Sequence, residues 1–346
     1  MRIIKLIVFI LLITNITKAQ DIHFSQYYAS PLTLNPALTG KFNGQFRISG
    51  IYRDQNFNLY TTPLFRTPSG ALDLNLFKEK LKRHNFGVGF CFVNDQQNDR
   101  IFNDLRFYVS SAFTFGFNNP AHTQLSIGVQ GVYNQQTFDP SRTRLIFSDG
   151  IIENFSATAK NFDLNAGIFF NTEISKRTIF YIGGSMMHLL RPSVRFSDFA
   201  GSVAITKLPF RFVGHTGAEI SIGKNEKWVL IPGLLFQYQG ATIEENFGVT
   251  LGYHLNNDKD NRTTFFLGCW NRWNRADFES IIPKIGFEFN KVRISGAYDI
   301  NLGGINRDSK TALQNTPVSS FEVAISFIGI FRPGIKEEVY LFNPRF

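Results

Sequence analysis

The sequence predicts an all-β fold, a transmembrane antiparallel up-and-down β-barrel of about 14 strands. Three features indicate it. Apolar and polar residues alternate along many segments, aromatic residues gather near the ends of those segments, and beyond residue 19 no stretch is apolar over the roughly 18 residues that a membrane helix needs. The 346-residue chain holds 38 phenylalanines, yet its mean hydropathy is only −0.09, as expected when apolar residues are diluted by alternation.

Alternation with a period of two residues predicts strands that present one face to lipid and the other to a lumen. In Lys291–Ile300, Val292 and Ile294 lie on the apolar side, whereas Arg293 and Asp299 lie on the other side. We place about 14 such segments, each about as long as a tilted membrane strand. They are 45–54, 66–77, 84–94, 102–117, 123–138, 161–173, 178–189, 210–222, 226–240, 243–256, 263–273, 278–290, 291–301 and 317–328.

A membrane barrel explains these segments better than a soluble sandwich does. Soluble strands average about five or six residues, and these are longer. Pairs such as Trp270 and Trp273 fit the aromatic girdles of membrane barrels, and the chain ends in Phe346. Two prolines, Pro232 and Pro283, fall inside predicted strands, where we expect each to mark a bulge or a strand end.

The N-terminus has the composition of a secretory signal peptide. Arg2 and Lys5 precede the apolar run Leu6–Ile13, and Thr17 and Ala19 occupy the small-residue positions of a cleavage site. We therefore expect a mature protein in the outer membrane. The predicted units are a signal peptide 1–19, a non-strand segment 20–44 in the periplasm or the lumen, a barrel 45–330, and a C-terminal tail 331–346.

The charges argue against nucleic-acid binding, and the two cysteines leave a disulfide open. Without the leader, Lys+Arg falls from 36 to 33 against 27 Asp+Glu, and no concentrated basic patch of the kind that binds nucleic acid is present. Cys91 and Cys269 lie in separate strand segments, so we expect two apolar side chains rather than a disulfide, although export permits one.

Catalytic, metal-binding and cofactor-binding motifs are not found. The six histidines form no close metal-binding pair, and no nucleophile elbow or phosphate-binding loop occurs. His215 and Glu219 share a strand face, but no third catalytic residue can be nominated, and two polar residues facing a lumen explain them. We therefore predict no enzymatic activity and no cofactor.

Residues 21–44 do not form a strand, yet they are rich in apolar residues. Pro31, Pro36 and Gly40 interrupt any regular element, and a disordered tail would not hold so many aromatic and aliphatic side chains. The segment is either a linker to the first strand or an ordered element that packs in or under the barrel, where it could close the periplasmic mouth or dock a periplasmic partner.

The motifs of this segment carry a family resemblance. The chain resembles the PorP/SprF family through Phe24-Ser25-Gln26-Tyr27, Pro31-Leu32, Asn35-Pro36-Ala37 and Gly40, and through the closing Asn343-Pro344-Arg345-Phe346. Many members of the family have Cys-Pro where this chain has Asn343-Pro344. We interpret eight residues as partner-binding: Phe24, Ser25, Gln26, Tyr27, Tyr28, Pro31, Asn35 and Pro36.

The resemblance implies an outer-membrane component of the type IX secretion system of the Bacteroidota. It implies as partners the outer-membrane lipid, other type IX components, and a large secreted substrate such as a gliding adhesin, recognised through its C-terminal sorting domain. A porin or a fatty-acid-type transporter is the alternative, because barrels of this size hold either a lumen or a plug. An outer-membrane hydrolase is a third possibility, disfavoured by the missing catalytic residues.

Overall fold

The structure is a computed structural model, and it describes residues 21–55, 65–77, 81, 83–117, 122–139, 157–194, 206–256, 263–275, 277–302 and 319–330. Within these residues the chain forms 16 strands. They are β1 (Phe46–Gln55), β2 (Phe65–Leu76), β3 (Asn85–Gln97), β4 (Phe102–Phe117), β5 (Thr123–Phe138), β6 (Ala157–Ser175), β7 (Thr178–Met187), β8 (Ser193–Val194), β9 (Thr206–Lys207), β10 (Arg211–Ile222), β11 (Trp228–Gln239), β12 (Thr242–His254), β13 (Thr263–Asn274), β14 (Asp277–Phe289), β15 (Val292–Asn301) and β16 (Ser319–Gly329).

Fourteen of these strands form a closed antiparallel barrel in which neighbours in sequence are neighbours in the sheet. The barrel closes where β1 pairs with β16, from Phe46 opposite Gly329 to Gln55 opposite Ser320. Strands β8 and β9 form a separate small hairpin within the link between β7 and β10. The predicted fold class and strand number are confirmed. No helix in the described part of the chain is long and apolar enough to cross a bilayer.

The predicted strand faces are confirmed as well. Along β15 and β16 the side chains of Ile294, Val323 and Ile325 are about half exposed, at 49%, 50% and 53%, on the outer face that lipid covers. The alternate residues Asp299 and Glu322 are almost fully buried in the lumen. Because hydrocarbon offers no hydrogen bonds, closure of the sheet satisfies the backbone of every spanning strand.

The two strand prolines do not behave as expected. Pro232 pairs within β11 and Pro283 within β14, and the register on either side of each proline is unchanged. The predicted bulge or strand end is therefore wrong at both positions. A proline removes a single N–H donor, and a strand of 12 or 13 residues keeps its alignment through the remaining bonds. The register shifts instead between Arg272 and Trp273 and between Glu173 and Ser175.

The two ends of the barrel differ. At one end, here called the short-turn end, strands connect through brief turns such as 176–177 and 290–291. At the other, the long-loop end, links span 139–156, 188–210 and 302–318. Outer-membrane barrels place short turns in the periplasm and long loops outside. By this rule β1 begins at the periplasmic end of the barrel.

Both cysteines are unbonded, as predicted, with Cys91 buried and Cys269 exposed on the outer face. The predicted signal peptide and C-terminal tail lie outside the described residues. The segment before β1 is described from Asp21 onward, and it contains three short helical turns, Tyr27–Ala29, Pro31–Leu34 and Pro36–Leu38. Residues Asp21–Gly44 are called the plug below, because they lie inside the lumen.

Candidate functional site: the plug in the barrel lumen

The plug runs through the lumen from the long-loop end to the short-turn end. Its first residue, Asp21, contacts Arg106 near the start of β4 and His188 just after β7, both at the long-loop end. Near its other end, Lys41 contacts Gln124 at the start of β5, which is the short-turn end. The plug therefore begins near the outer mouth and reaches the periplasmic rim where β1 starts.

An ionic cluster holds the first residue of the plug. The Asp21 carboxylate accepts a hydrogen bond from Arg106 Nη1 at 2.8 Å and pairs with His188 Nε2. His188 Nδ1 lies 2.6 Å from Asp163 Oδ2, and Arg211 Nη1 lies 3.6 Å from Asp21. Burial opposes ionisation of Asp21, but Arg106 and His188 outweigh it and hold the pKa of Asp21 well below its usual value.

A second charged network fixes the plug at Ser25 and Gln26. Their backbone N–H groups donate to the two carboxylate oxygens of Glu322 at 2.7 and 2.8 Å. Arg53 Nη1 donates to the same carboxylate at 2.8 Å. The Ser25 hydroxyl donates to Asp299 Oδ2 at 2.7 Å. Glu322 is only 1% exposed, so water cannot stabilise its charge. Arg53 and the plug backbone N–H groups stabilise it instead.

Arg272 extends this network, since its Nη2 donates to Asp299 at 2.7 Å and to the Ser25 hydroxyl. Arg53 lies opposite Glu322 on the adjacent strands β1 and β16, and Asp299 lies one strand further along on β15, so these charges pair along one wall of the lumen rather than across the barrel. Lys291 lies exposed in a hairpin turn, and Arg293 pairs with Glu288 on the adjacent strand. The charged residues of the outer lumen thus hold the plug.

Aromatic side chains fill the middle of the lumen. The Tyr27 ring lies edge-on to Trp270, with centroids 5.6 Å apart, and Tyr28 lies edge-on to Tyr181 at 5.7 Å. The Tyr28 hydroxyl also lies 3.0 Å from His215 Nδ1. Both plug tyrosines are almost fully buried, at 4% and 5% exposed.

Asn35 connects the plug to the backbone of the barrel wall. Its Nδ2 donates to the carbonyl oxygens of Ile168 at 3.0 Å and Gly184 at 3.2 Å. Its Oδ1 accepts from the Ala37 N–H at 2.9 Å and so caps the turn Pro36–Leu38. A side chain with both a donor and an acceptor is needed for these contacts, which explains why an asparagine precedes the proline.

Glycines of the barrel wall make room for this part of the plug. A Cβ added to Gly128 would lie 2.4 Å from the carbonyl carbon of Pro36, and one added to Gly87 would lie 2.4 Å from the oxygen of Thr39. A Cβ on Gly167 would lie 2.0 Å from Asn35 Oδ1. These three residues of β3, β5 and β6, here called the glycine wall, let the plug lie directly against the sheet, with its backbone at Gly87 and Gly128 and with the Asn35 side chain at Gly167.

Near its C-terminal end the plug makes a tight turn at Gly40, whose φ of +70° favours glycine. The Gly40 N–H donates to Asp73 Oδ2 at 2.8 Å, and the same carboxylate pairs with Arg47 at 2.7 Å. The next residue, Lys41, is fully buried, and its Nζ donates to Gln124 Oε1 at 2.6 Å. Burial lowers the pKa of Lys41 well below its usual value.

All eight residues that the sequence analysis assigned to partner binding lie in the plug and are buried. Their partner-binding role stays a prediction. In this conformation they contact the barrel, so a partner reaches them only if the plug moves. The residues that sequence reasoning missed are on the wall: Asp73 and the glycine wall. The sequence did contain a signal for the glycine wall, because Gly128 lies on the same strand face as the lumen-facing polar residues of β5.

Within the described residues no cluster of three or more His, Cys, Asp or Glu side chains could hold a metal ion. His215, considered above as a catalytic candidate, is 2% exposed and bonds to Tyr28 and Asn35 of the plug. Its role in this structure is to position the plug.

Solved structures with a similar fold include proteins described as monoaromatic hydrocarbon channels and toluene transporters. A variant of the monoaromatic hydrocarbon channel TodX shares 12% identity with a TM-score of 0.52, covering 87% of this chain and 94% of that one. The toluene transporter TodX of Pseudomonas putida shares 12% identity at a TM-score of 0.48, covering 90% and 98%. The toluene transporter TbuX of Ralstonia pickettii shares 10% at 0.49, covering 87% and 93%. At such identities the first of these indicates a common barrel fold alone.

No curated protein matches the sequence at a significant level. The sequence profile described as "Type IX secretion system membrane protein PorP/SprF" matches residues 16–316, which includes the whole plug and 13 of the 14 barrel strands. The resemblance in the motifs around Asn35 and Pro36 thus extends over most of the chain. The protein belongs to the PorP/SprF family of type IX secretion system membrane proteins.

Proposed function

We propose that this protein is an outer-membrane component of the type IX secretion system that assists secretion and surface attachment of one large substrate, such as an adhesin, through the substrate's C-terminal domain. Family membership supports a role in this system. The observation that carries the proposal is the filled lumen. The plug occupies the barrel from Asp21 near one mouth to Lys41 near the other, and its side chains are buried almost throughout.

A filled lumen argues against a passive porin. The charged groups of the outer lumen are engaged with the plug, and the glycine wall leaves no gap beneath its second half. Such a barrel serves better as a stable membrane anchor than as an open channel. A transporter for hydrophobic molecules is the alternative, and it requires the plug to shift during each transport event.

Affinity capture of the tagged protein from its native outer membrane tests the proposal. We expect a large surface protein with a type IX C-terminal domain, together with other secretion components, among the captured proteins. Planar-bilayer recordings separate the alternative. A large steady conductance would favour a porin, and substrate-dependent uptake of hydrophobic molecules without any captured surface protein would favour a transporter.

The plug's role is tested by Tyr27→Ala combined with Tyr28→Ala. We expect the barrel to insert and the substrate to be lost from the cell surface, because the aromatic contacts with Trp270 and Tyr181 hold the middle of the plug. The matched control replaces Tyr52 and Tyr298, which face outward. Normal display by the plug double variant at normal barrel abundance would reduce the plug to a structural filler.

A further inference from the structure

Three hairpins at the short-turn end of the barrel share one pattern. A large apolar side chain faces outward at the end of a strand, and a lysine follows two positions later. The three pairs are Ile174 and Lys176, Ile222 and Lys224, and Phe289 and Lys291. The apolar members are 67%, 43% and 53% exposed, and all three lysines are exposed as well. Each hairpin thus places a cation directly beyond a side chain that faces lipid.

An aromatic pair on the outer face marks where the hydrocarbon ends. Trp228, the first residue of β11, packs against Tyr253 with ring centroids 4.6 Å apart. Tryptophan and tyrosine gather where the hydrocarbon of a membrane meets the headgroups. Two strand residues span about 7 Å. A lysine two positions beyond the last apolar residue therefore lies at the level of the headgroups.

The positive charge of these lysines is not neutralised by the acidic residues of the same rim. Each described carboxylate there is already paired with another basic residue: Glu173 with His122, Glu226 with Arg177 at 3.4 Å, and Glu288 with Arg293 at 2.7 Å. Among the described residues, no ion pair engages Lys176, Lys224 or Lys291. Their ammonium groups therefore remain available to an external anion.

The two rims of the barrel differ in this respect. At the long-loop end, exposed acids and bases are mixed, with Asp99 beside Arg100 and Asp277 near Arg275. At the short-turn end, the lysines extend along an arc from the hairpin β6–β7 to the hairpin β14–β15. An arc of cations that borders a lipid-facing surface matches a layer of anionic headgroups around the barrel.

We propose that these three hairpins bind anionic phospholipids of the membrane leaflet at the short-turn end. The acyl chains lie against Ile174, Ile222 and Phe289, and the lipid phosphates pair with the lysine that follows each of them. A lipid is favoured over an acidic protein because every lysine of the set continues from a side chain on the lipid-facing surface. The inference concerns the barrel in its membrane and goes beyond the proposed function.

Quenching of Trp228 by brominated lipid tests the inference in vesicles that contain the purified full-length barrel. The probes are phosphatidylglycerol as the anionic lipid and phosphatidylcholine as the neutral one, mixed equally, with bromine on only one of them at a time. Trp273→Phe removes the other partly exposed tryptophan, and Trp270 is fully buried. We expect the anionic lipid to be enriched about threefold at Trp228, as partly exposed ion pairs would produce.

Lys224→Gln combined with Lys227→Gln should abolish this enrichment, because both charges lie in the hairpin that precedes Trp228. The matched control combines Lys160→Gln with Lys207→Gln, which removes two exposed charges from the long-loop end and should leave the enrichment unchanged. Every variant is first shown to be folded by its heat-modifiable migration.

The hairpin β14–β15 provides a second, independent measurement. Phe289→Trp, made together with Trp228→Phe and Trp273→Phe, moves the reporter beside Lys291. The anionic lipid should again be enriched about threefold, and the further change Lys291→Gln should abolish the enrichment.

Equal quenching by the two lipids in the native barrel overturns the inference, as does enrichment that survives the lysine variants. An equal loss in the long-loop control would show a response to net charge alone, and loss on adding inorganic phosphate at constant ionic strength would show a site for free anions. Either result also overturns it. None of these results bears on capture of a secretion partner from the membrane, which tests the proposed function.

Discussion

The glycine wall makes a sharp prediction about Gly128. In Gly128→Ala the new Cβ would lie 2.4 Å from the Pro36 carbonyl carbon and 2.5 Å from the Ala37 nitrogen, whereas ordinary contact begins at 3.4 Å. The plug backbone must therefore retreat by about 1 Å, the difference between those distances. Backbone atoms cannot rotate away as the end of a flexible side chain can, so the movement displaces the whole turn.

The loss of stability of the docked plug follows from the contacts that this retreat breaks. Asn35 donates to two wall carbonyls at 3.0 and 3.2 Å, and a shift of about 1 Å takes both beyond hydrogen-bonding distance. Each lost bond costs about 1 kcal/mol, and forcing a methyl group into a packed interior costs about 1–3 kcal/mol more. We expect Gly128→Ala to destabilise the docked plug by about 3–5 kcal/mol in total.

Trypsin reports plug release directly, because Lys41 is the only lysine or arginine between residues 21 and 44 and is fully buried. We expect Gly128→Ala to be cleaved after Lys41 while the barrel still migrates as a folded, heat-modifiable species. Gly131→Ala on the same strand is the control, because a Cβ there meets no atom within 4 Å. Equal resistance of the two variants to trypsin would refute the role of the glycine wall.

Three further predictions concern charge. Glu322→Gln should loosen the outer plug and increase trypsin cleavage, because removing one partner of a buried pair costs about 3–5 kcal/mol. Glu288→Gln, at a residue that pairs with Arg293 on the adjacent strand, should leave the cleavage unchanged. Val323→Arg should lower the amount of heat-modifiable barrel, since arginine near the bilayer midplane costs about 2–4 kcal/mol, whereas Val323→Ile should not. Asp21 has a lowered pKa in the folded protein, so its pairing with Arg106 stabilises above about pH 4 and is lost as pH falls further. Wild type should therefore exceed Asp21→Asn in urea midpoint at pH 7 and lose that advantage at acidic pH.

The barrel could be predicted from the sequence because its signal is local. Alternation in Lys291–Ile300 or Ser320–Phe327 requires only that one face meets lipid and the other a polar lumen, and each strand reports this by itself. Strand bounds were least accurate at β6, which begins at Ala157 rather than residue 161. Its first four residues, Ala157 to Lys160, are either small or polar, so they lack the alternation of large apolar residues on which the prediction relied.

The contacts of the plug could not be predicted, because they join residues far apart in the chain. Ser25 meets Glu322 and Asn35 meets His215, at separations of 297 and 180 residues. Composition left residues 21–44 as either a linker or an ordered element in or under the barrel, and it did not indicate that Asp21 would lie at the long-loop end. The chain must cross the lumen before β1 starts, and no local pattern records that path.

The two halves of the plug are held by different forces, and this difference constrains how it can move. Around Asp21 and Ser25 the contacts are ionic and depend on side chains that can reorient. Around Pro36 and Gly40 the plug backbone lies against wall backbone with no space for a methyl group. Ionic contacts weaken when a carboxylate is protonated, whereas steric fit does not depend on pH. Acidification should therefore loosen the outer half of the plug around Asp21 and Ser25 while the turn at Pro36 stays docked, and trypsin cleavage and urea midpoints measured from pH 7 downward check this order.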